Sequence, residues 1–255
     1  MLEVSNIHLS FGGVQALQGV NFDAAKGEIT GIIGPNGAGK TSLFNAISGF
    51  YTPQQGTVHF DGANITNQGA DQRAAMGIAR TFQNIALFRG MTVLDNIKLG
   101  AHARLKTDVW SALRYFGSAR KEELELRREI EEDVIDFLEI DHIRKAPITA
   151  LSYGLQKRVE LGRALAMRPK VLLLDEPVAG MNREETGDMA RFILDVQEKY
   201  GTTILLVEHD MHMVMDICSR IVVLNFGKQI ASGTPAEIAS NPEVIDAYLG
   251  SSEAA

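Results

Sequence analysis

Residues 34–41 read Gly34-Pro35-Asn36-Gly37-Ala38-Gly39-Lys40-Thr41 and fit the pattern G-x-x-x-x-G-K-[ST] at every fixed position. Glycines let such a loop curl so that successive backbone N–H groups point into one concavity, where they can bind phosphate oxygens. The strand-like segment 29–33 before the loop predicts a strand, and residues 41–49 after it predict a helix. Because the N-terminus of a helix attracts anions, this strand–loop–helix unit predicts a nucleotide phosphate site.

The side chains at the end of the loop indicate how a nucleotide is held. We expect Lys40 to reach the β- and γ-phosphates of ATP, and the hydroxyl of Thr41 to bind Mg²⁺. We count Ser42 together with residues 34–41 as cofactor-binding. A glycine-rich turn with a helix cap is the structural alternative, which the strand before the loop and the helix after it disfavour.

Two carboxylates follow a second apolar run and complete the predicted site. Residues 171–174 are continuously apolar, as expected of a strand covered on both faces of a parallel sheet. Ligands of such sheets bind at the carboxyl ends of the strands, where Asp175 and Glu176 lie. We expect Asp175 to bind Mg²⁺ and Glu176 to polarise the attacking water. Without the phosphate loop, the same residues would indicate only a strand-to-loop turn.

The order of the patterns predicts an α/β fold with an inserted helical part. Asp175 lies 135 residues after Lys40, and the helical segment 102–145 falls inside this interval. Within it, Glu123/Arg127 and Arg128/Glu132 have the i,i+4 spacing of ion pairs on an exposed helix face. The remaining predicted elements are strands at 2–4, 20–22, 52–61 and 202–207, helices at 155–167 and 181–200, a hairpin over 221–232, and a last helix ending at 248–250.

Composition limits the classes of function. The formal net charge is −7, which argues against a broad nucleic-acid binder because such proteins concentrate positive charge. The single cysteine, Cys218, excludes an intramolecular disulfide and fits a reducing cytoplasm. We expect neither a secretory signal at the start of the chain nor a membrane span, since no apolar run approaches about 18 residues.

Further motifs, taken in order, resemble those of the ATP-binding subunits of ABC transporters, and the resemblance covers nearly the whole chain. Phe11 resembles the aromatic residue that stacks on adenine, and Gln83 resembles the glutamine that touches the Mg²⁺ and γ-phosphate region. The sequence Leu151-Ser152-Tyr153-Gly154-Leu155-Gln156 resembles the signature motif, which implies that Ser152 and Gly154 approach γ-phosphate. His209 resembles the switch histidine, which also contacts γ-phosphate.

Some motif positions depart from the commonest family pattern. The signature has Tyr153 in place of a glycine and Leu155 in place of a glutamine, and Asn182 stands where the D-loop usually has an aspartate. The departures at Tyr153 and Leu155 bear on the strength of the signature half-site rather than on its existence, and Asn182 bears on D-loop communication between subunits. A metal site at His209, Asp210 and His212 is an alternative use of the switch segment, although two histidines and an aspartate on one turn seldom form a site unaided.

Within the family, segments 80–97 and 241–250 resemble the branched-chain amino acid importer type. The resemblance implies a P-loop NTPase (RecA-like) core sheet with an antiparallel β subdomain and an inserted helical subdomain. We predict one domain over residues 1–255, with the catalytic core at about 1–90 and 160–255 and the helical subdomain, including the signature, at 91–159.

The resemblance also implies a set of partners and a location. Two homologous ATP-binding subunits pair head to tail, transmembrane permease subunits couple ATP hydrolysis to uptake, and a periplasmic-type solute-binding protein participates indirectly. The subunit is then peripheral, at the cytoplasmic face of the membrane, with ATP and Mg²⁺ as cofactors. Importers of urea, short amides or aromatic acids, a soluble ABC ATPase and a P-loop kinase remain alternatives. The ordered series Gln83, Ser152, Glu176 and His209 argues against the kinase, which has no use for a signature helix.

Overall fold

The computed structural model describes residues 1–101 and 127–252, with side chains up to Tyr248. The chain forms two compact units. The first combines Met1–Gln83 with the chain from Lys170 onward, and the second is Asn84–Pro169. The second unit therefore begins earlier and ends later than the segment 91–159 delimited by the sequence patterns.

Strands and helices of the two units are numbered in chain order. The strands, all in the first unit, are β1 (Leu2–Phe11), β2 (Val14–Ala24), β3 (Ile29–Ile33), β4 (Gln55–Phe60), β5 (Ala63–Asn64), β6 (Ile78–Arg80), β7 (Val171–Asp175), β8 (Thr203–Val207), β9 (Arg220–Asn225) and β10 (Lys228–Gly233). The helices are α1 (Lys40–Ser48) and α2 (Ala70–Met76) in the first unit, α3 (Val93–Ala101) and α4 (Tyr153–Leu165) in the second, and α5 (Arg183–Tyr200), α6 (Met211–Ile217), α7 (Pro235–Ala239) and α8 (Pro242–Ser252) again in the first.

The first unit contains two sheets. One is antiparallel, with the strand order β2-β1-β4-β5, and the other has the order β10-β9-β3-β8-β7-β6. In the second sheet only β10 runs antiparallel to its neighbour. Val207 of β8 is level with both Ile32 of β3 and Asp175 of β7, so the carboxyl ends of these parallel strands lie side by side. This alignment brings together the segments that follow each strand.

The core of the first unit joins both sheets through α1. Every residue of β3, β7 and β8 is buried, which confirms the prediction of strands covered on both faces. The buried face of α1, with Leu43, Phe44 and Ile47, belongs to the same apolar cluster as residues of both sheets. The helix that follows the phosphate loop is therefore fixed on several sides.

The regular elements in the described part of the second unit are helical. Close packing between α3 and α4 depends on glycine, because a Cβ on Gly100 would lie 1.9 Å from the carbonyl oxygen of Arg163. A π-helical turn at Glu131–Ile135 follows helical residues 127–130. The predicted pair Arg128/Glu132 is confirmed by a contact of 2.8 Å, whereas Glu123 of the other predicted pair lies outside the described residues.

Element bounds differ from the predictions where local contacts decide them. The strand predicted at 2–4 continues to Phe11 because it pairs with β2 along its whole length. Register shifts in this pairing interrupt the alternation of buried and exposed residues, so the sequence pattern did not indicate the longer strand. Helix α5 begins at Arg183 instead of 181, because the side chain of Asn182 accepts hydrogen bonds from the backbone N–H groups of Glu184 and Glu185. The last helix runs to Ser252, beyond the predicted end at 248–250.

Within residues 1–101 and 127–252, no helix combines the length and the apolar character required to cross a bilayer.

Cys218 should react slowly in the folded protein. Burial raises the pKa of its thiol from 9.0 to about 12. Since only the thiolate reacts, we expect alkylation near neutral to mildly alkaline pH to be slower by about 10-fold or more in the folded protein than in denaturant. Timed labelling followed by intact-mass analysis measures both rates, and equal rates would contradict the buried position.

Gly34 and Gly37 form a matched pair for testing the packing of the phosphate loop. Both have positive φ, 150° and 78°, but a Cβ on Gly34 would lie 2.1 Å from the carbonyl oxygen of Leu224, while one on Gly37 meets nothing within 4 Å in the described part of the chain. We expect Gly37→Ala to lower the free energy of unfolding by about 1–2 kcal/mol through backbone strain alone. Gly34→Ala should lower it by clearly more, in denaturant titrations monitored by circular dichroism; similar losses would contradict the close approach.

Candidate functional site

The phosphate loop leaves β3 and ends at the first residue of α1. Gly34 and Gly39 approach backbone carbonyls of Leu224 and Ala16 so closely that a Cβ would be 2.1 and 2.6 Å from these oxygens. Gly39 precedes the helix with φ 102°, and no side chain within the described residues caps α1. The backbone N–H groups of the first helical turn are therefore available to an anion.

Lys40 is held against the loop from which it emerges. Its ammonium group donates to the carbonyl oxygens of Gly34, at 2.7 Å, and Pro35, at 3.1 Å. Burial lowers the pKa of Lys40, while the carboxylates of Glu176 and Asp175 act in the opposite direction. The predicted phosphate-binding cation thus lies close to both predicted carboxylates. Thr41 and Ser42 follow on the same helix, with Thr41 exposed.

Asp175 occupies the end of β7 and is only 2% exposed. Its Oδ2 accepts a hydrogen bond of 2.7 Å from Nη2 of Arg80, at the end of the neighbouring strand β6. Its Oδ1 has no hydrogen-bond partner among the described residues. A buried carboxylate oxygen in this state is costly, so the site is built to receive a positively charged or hydrogen-donating group.

Glu176 lies at the centre of the predicted catalytic residues. Its Oε2 accepts from Nε2 of Gln83 at 3.0 Å, and its Oε1 lies 3.1 Å from Nε2 of His209. The strand order explains this arrangement, because Gln83 follows β6, Glu176 follows β7 and His209 follows β8. Glu176 also has a φ of 50°, a conformation that non-glycine residues rarely adopt and that is concentrated at functional sites.

A buried carboxylate behind these residues joins two of the loops. Glu208 accepts hydrogen bonds from the backbone N–H groups of Val178, at 2.9 Å, and His209, at 2.8 Å. Burial raises the pKa of Glu208, while these hydrogen bonds act in the opposite direction. Since Val178 lies two residues after Glu176, Glu208 fixes the loop carrying the predicted base against the loop carrying His209.

Phe11 and Tyr248 are aromatic residues of the first unit with different contacts. Phe11, which is 45% exposed, meets Tyr51 edge to face with ring centroids 5.0 Å apart. An exposed aromatic surface is suitable for stacking on a base. On the C-terminal helix, the hydroxyl of Tyr248 is hydrogen-bonded to the backbone of Gly34, and burial raises the pKa of Tyr248.

The predicted signature residues belong to the second unit. Ser152 caps α4 by accepting a hydrogen bond of 3.3 Å from the backbone N–H of Leu155, so its helix-capping role is present. Ser152 and Tyr153 are exposed, whereas Gly154 is buried. The hydroxyl and the first N–H groups of α4 are thus presented at an exposed helix N-terminus.

The two histidines of the switch segment have different partners. Nδ1 of His212 lies 3.0 Å from the carboxylate of Asp216, while His209 contacts Glu176. No group of three or more His, Cys, Asp or Glu residues suited to a metal ion occurs in residues 1–101 and 127–252. The geometry therefore gives no support to the alternative metal site in this segment.

Sequence patterns missed Arg80 and Glu208 as members of the site. Arg80 lies in the segment that carried the family resemblance, and Glu208 directly precedes the predicted switch histidine. Each is a charged residue at the end of an apolar strand, next to a predicted site residue. That position could have indicated a buried partner for the site.

Comparison with known proteins gives matches over nearly the whole chain. The family model for ABC transporters matches residues 17–179, and the model for branched-chain amino acid ATP-binding cassette transporters matches residues 228–254. The high-affinity branched-chain amino acid transport ATP-binding protein LivG of Escherichia coli is 41% identical over 254 residues, covering 98% of each chain.

Solved structures show the same fold. The crystal structure of the ADP conformation of an ATP-binding cassette of an ABC transporter has a TM-score of 0.85 and 35% identity, covering 98% of each chain. CbiO1 of Clostridium perfringens, part of the ABC transporter complex cbiONQ, has a TM-score of 0.80 and 30% identity, covering 96% of this chain and 92% of that one. With the phosphate loop and the strand-end carboxylates, these matches show that the chain belongs to the ATP-binding subunits of ABC transporters, in their branched-chain amino acid group.

Proposed function

We propose that this chain binds and hydrolyses ATP as a subunit of an ABC importer for branched-chain amino acids. The observation that carries the proposal is the contact of Glu176 with both Gln83 and His209 at the strand ends beside the phosphate loop. The two units correspond in this proposal to the catalytic core and the helical subdomain.

Nucleotide binding is assigned to the loop and its surroundings. Residues 34–42 hold the phosphates through backbone N–H groups and the ammonium group of Lys40, and Phe11 stacks on adenine. The glycine conformations and the packing of α1 hold the loop in one shape. Such preorganisation lowers the entropic cost of binding a nucleotide.

The residues present fit a magnesium ion. Asp175 offers an oxygen with no partner among the described residues, and Thr41 offers an exposed hydroxyl at the start of α1. Carboxylate, hydroxyl and amide oxygens are the hard ligands that Mg²⁺ prefers, so Thr41, Asp175 and Gln83 are the proposed ligands. When bound with ATP, the ion neutralises charge on the phosphates.

Hydrolysis is assigned to a water molecule oriented by Glu176. The carboxylate accepts a proton from this water as the water oxygen attacks the γ-phosphorus, and the bond to the leaving ADP oxygen breaks. Gln83 fixes one oxygen of Glu176 and His209 contacts the other. In this proposal His209 also binds a γ-phosphate oxygen. Positioning and electrostatics supply most of the catalysis in such reactions.

Coupling to transport requires other chains. We propose that a second homologous ATP-binding subunit pairs head to tail with this one, so that Ser152 and Gly154 of each subunit contact the γ-phosphate on the other. Transmembrane permease subunits then bring the pair to the cytoplasmic face of the membrane, and a solute-binding protein delivers the cargo. LivG and CbiO1, named above as transporter components, support this arrangement.

Replacing Glu176 separates binding from hydrolysis. Glu176→Gln should bind ATP within about 2-fold of the unaltered protein, because the amide keeps the shape and can still hydrogen-bond. Its turnover should fall by at least about 100-fold, since a general base contributes 10²–10⁴-fold. Phosphate release and fluorescent ATP binding measure the two quantities. Glu198→Gln, at an exposed position on α5, is the matched control and should retain both. Unchanged hydrolysis in Glu176→Gln would exclude the assigned role.

The cargo is tested by uptake in a host that lacks its own branched-chain amino acid importer. The complete transporter, assembled with this chain, should accumulate radiolabelled leucine, isoleucine or valine, and the assembly with Glu176→Gln should not. Uptake of urea, an amide or an aromatic acid in their place would retain the ATPase assignment and reject the cargo.

A further inference from the structure

Arg80 forms a buried ion pair with the proposed magnesium ligand. The distance from Nη2 of Arg80 to Oδ2 of Asp175 is 2.7 Å, and the two side chains are 7% and 2% exposed. No motif assigns a role to Arg80. A guanidinium group beside a cation site needs an explanation, because it repels the cation that the site is meant to bind.

The other half of the guanidinium group is fixed to α1. Its Nη1 donates to Oδ1 of Asn45, at 2.6 Å, and to the hydroxyl of Ser48, at 3.0 Å. The planar fork of arginine therefore joins Asp175 to the helix that begins with the end of the phosphate loop. A lysine, with a single ammonium group on a flexible chain, cannot reproduce both ends of this contact.

Aromatic rings enclose the guanidinium group. Its carbon lies 5.2 Å from the ring centroid of Phe82, 5.6 Å from that of Phe44 and 5.9 Å from that of Phe50. Such distances permit cation–π attraction. The rings also keep water away, so the ion pair with Asp175 is only weakly screened and its geometry is firmly held.

The ion pair makes the two oxygens of Asp175 unequal. Oδ2 is held by Arg80, while Oδ1 has no partner among the described residues. The backbone of Asp175 is also fixed, since its N–H donates to the hydroxyl of Thr81 at 3.3 Å. A carboxylate held in this way presents the same oxygen at all times and has lost its rotational freedom before the cation binds.

We propose that Arg80 is a positioning residue for the divalent cation: by holding Oδ2 of Asp175, it directs Oδ1 to the Mg²⁺ of a bound magnesium nucleotide. The inference rests on the proposed function, in which Asp175 is a magnesium ligand. Orientation and simple charge neutralisation predict opposite changes in cation affinity when Arg80 is replaced. If Arg80 only neutralised Asp175, its removal would strengthen cation binding; if it orients Asp175, its removal weakens cation binding.

The test measures how much Mg²⁺ tightens nucleotide binding. The dissociation constant of a fluorescent, non-hydrolysable ATP analogue is determined in EDTA and in excess Mg²⁺, and the ratio of the two is the magnesium gain. In Arg80→Met this gain should fall by about 10-fold or more, the usual effect of losing a residue that orients a metal ligand. Binding in EDTA should change by less than about 3-fold, since the side chain of Arg80 is only 7% exposed and its guanidinium group is already held by Asp175, Asn45 and Ser48. Mn²⁺ titrated into the nucleotide-bound protein and followed by electron paramagnetic resonance gives an independent affinity.

Two further variants distinguish an orienting role of Arg80 from an effect of its positive charge, and they do not depend on the folding of Arg80→Met. Arg80→Lys keeps the positive charge and should still lose most of the gain. Asn45→Ala keeps both members of the ion pair but removes one hydrogen-bond acceptor of the Arg80 guanidinium group. It should lower the magnesium gain by a smaller factor. Both remain informative if Arg80→Met does not fold.

Arg73 provides a matched control for a buried arginine near α1. It is 1% exposed and donates to the carbonyl oxygens of Ala46, at 2.6 Å, and Ile47, at 2.7 Å, and burial lowers its pKa to about 10. Arg73→Lys should lower the unfolding temperature while leaving the magnesium gain unchanged.

The outcomes distinguish the inference from the function on which it rests. An undiminished or larger gain in Arg80→Met overturns the positioning role. A wild-type protein without any magnesium gain, or Asp175→Asn with a full gain, overturns the proposed magnesium site itself. A lower gain in Arg80→Met and Arg80→Lys, with Arg73→Lys unchanged, supports the proposal.

Discussion

The parallel register of four neighbouring strands is the constraint on which the site depends. Strands β3, β8, β7 and β6 are adjacent in that order, and their carboxyl ends point the same way. Each strand delivers one part of the site: the phosphate loop, His209, the pair Asp175 and Glu176, and Gln83. Every residue of β3, β7 and β8 is buried, so a slip in register would disrupt close packing on both faces of the sheet, and the stability of the core also maintains the geometry of the site.

Buried charged groups connect the site to that core. Glu208 joins the loops after β7 and β8, Arg80 joins Asp175 to α1, and Arg73 binds carbonyl groups at the end of α1. Burying a charge is costly unless it is satisfied by partners, and each of these groups has several. In return each fixes one loop or helix end in a single position, which a purely apolar contact does less specifically. Glu176, with its positive φ, is held within this framework.

Most of the architecture could be predicted because its signals are local. Residue types alone indicate a strand at 29–33, a buried strand at the apolar run 171–174 and a phosphate-binding turn at 34–41. The predictions were weaker where pairing partners matter. Strand β1 extends to Phe11 through an irregular register with β2, and the start of α5 depends on the capping geometry of Asn182. The D-loop asparagine, which departs from the commonest family residue, thus has a local structural role as a helix cap.

By itself, the sequence determined the α/β fold class, the phosphate loop and the strand-end carboxylates, because glycine placement and apolar runs are properties of neighbouring positions in the chain. The remaining candidate residues came from motifs that resemble those of a known family. Only the tertiary structure decided which of these residues touch. The contacts of Glu176 with Gln83 and His209 span 93 and 33 residues, and the ion pair of Arg80 with Asp175 spans 95. Such contacts follow from strand order and register in a sheet, which long-range packing sets and which no local pattern encodes.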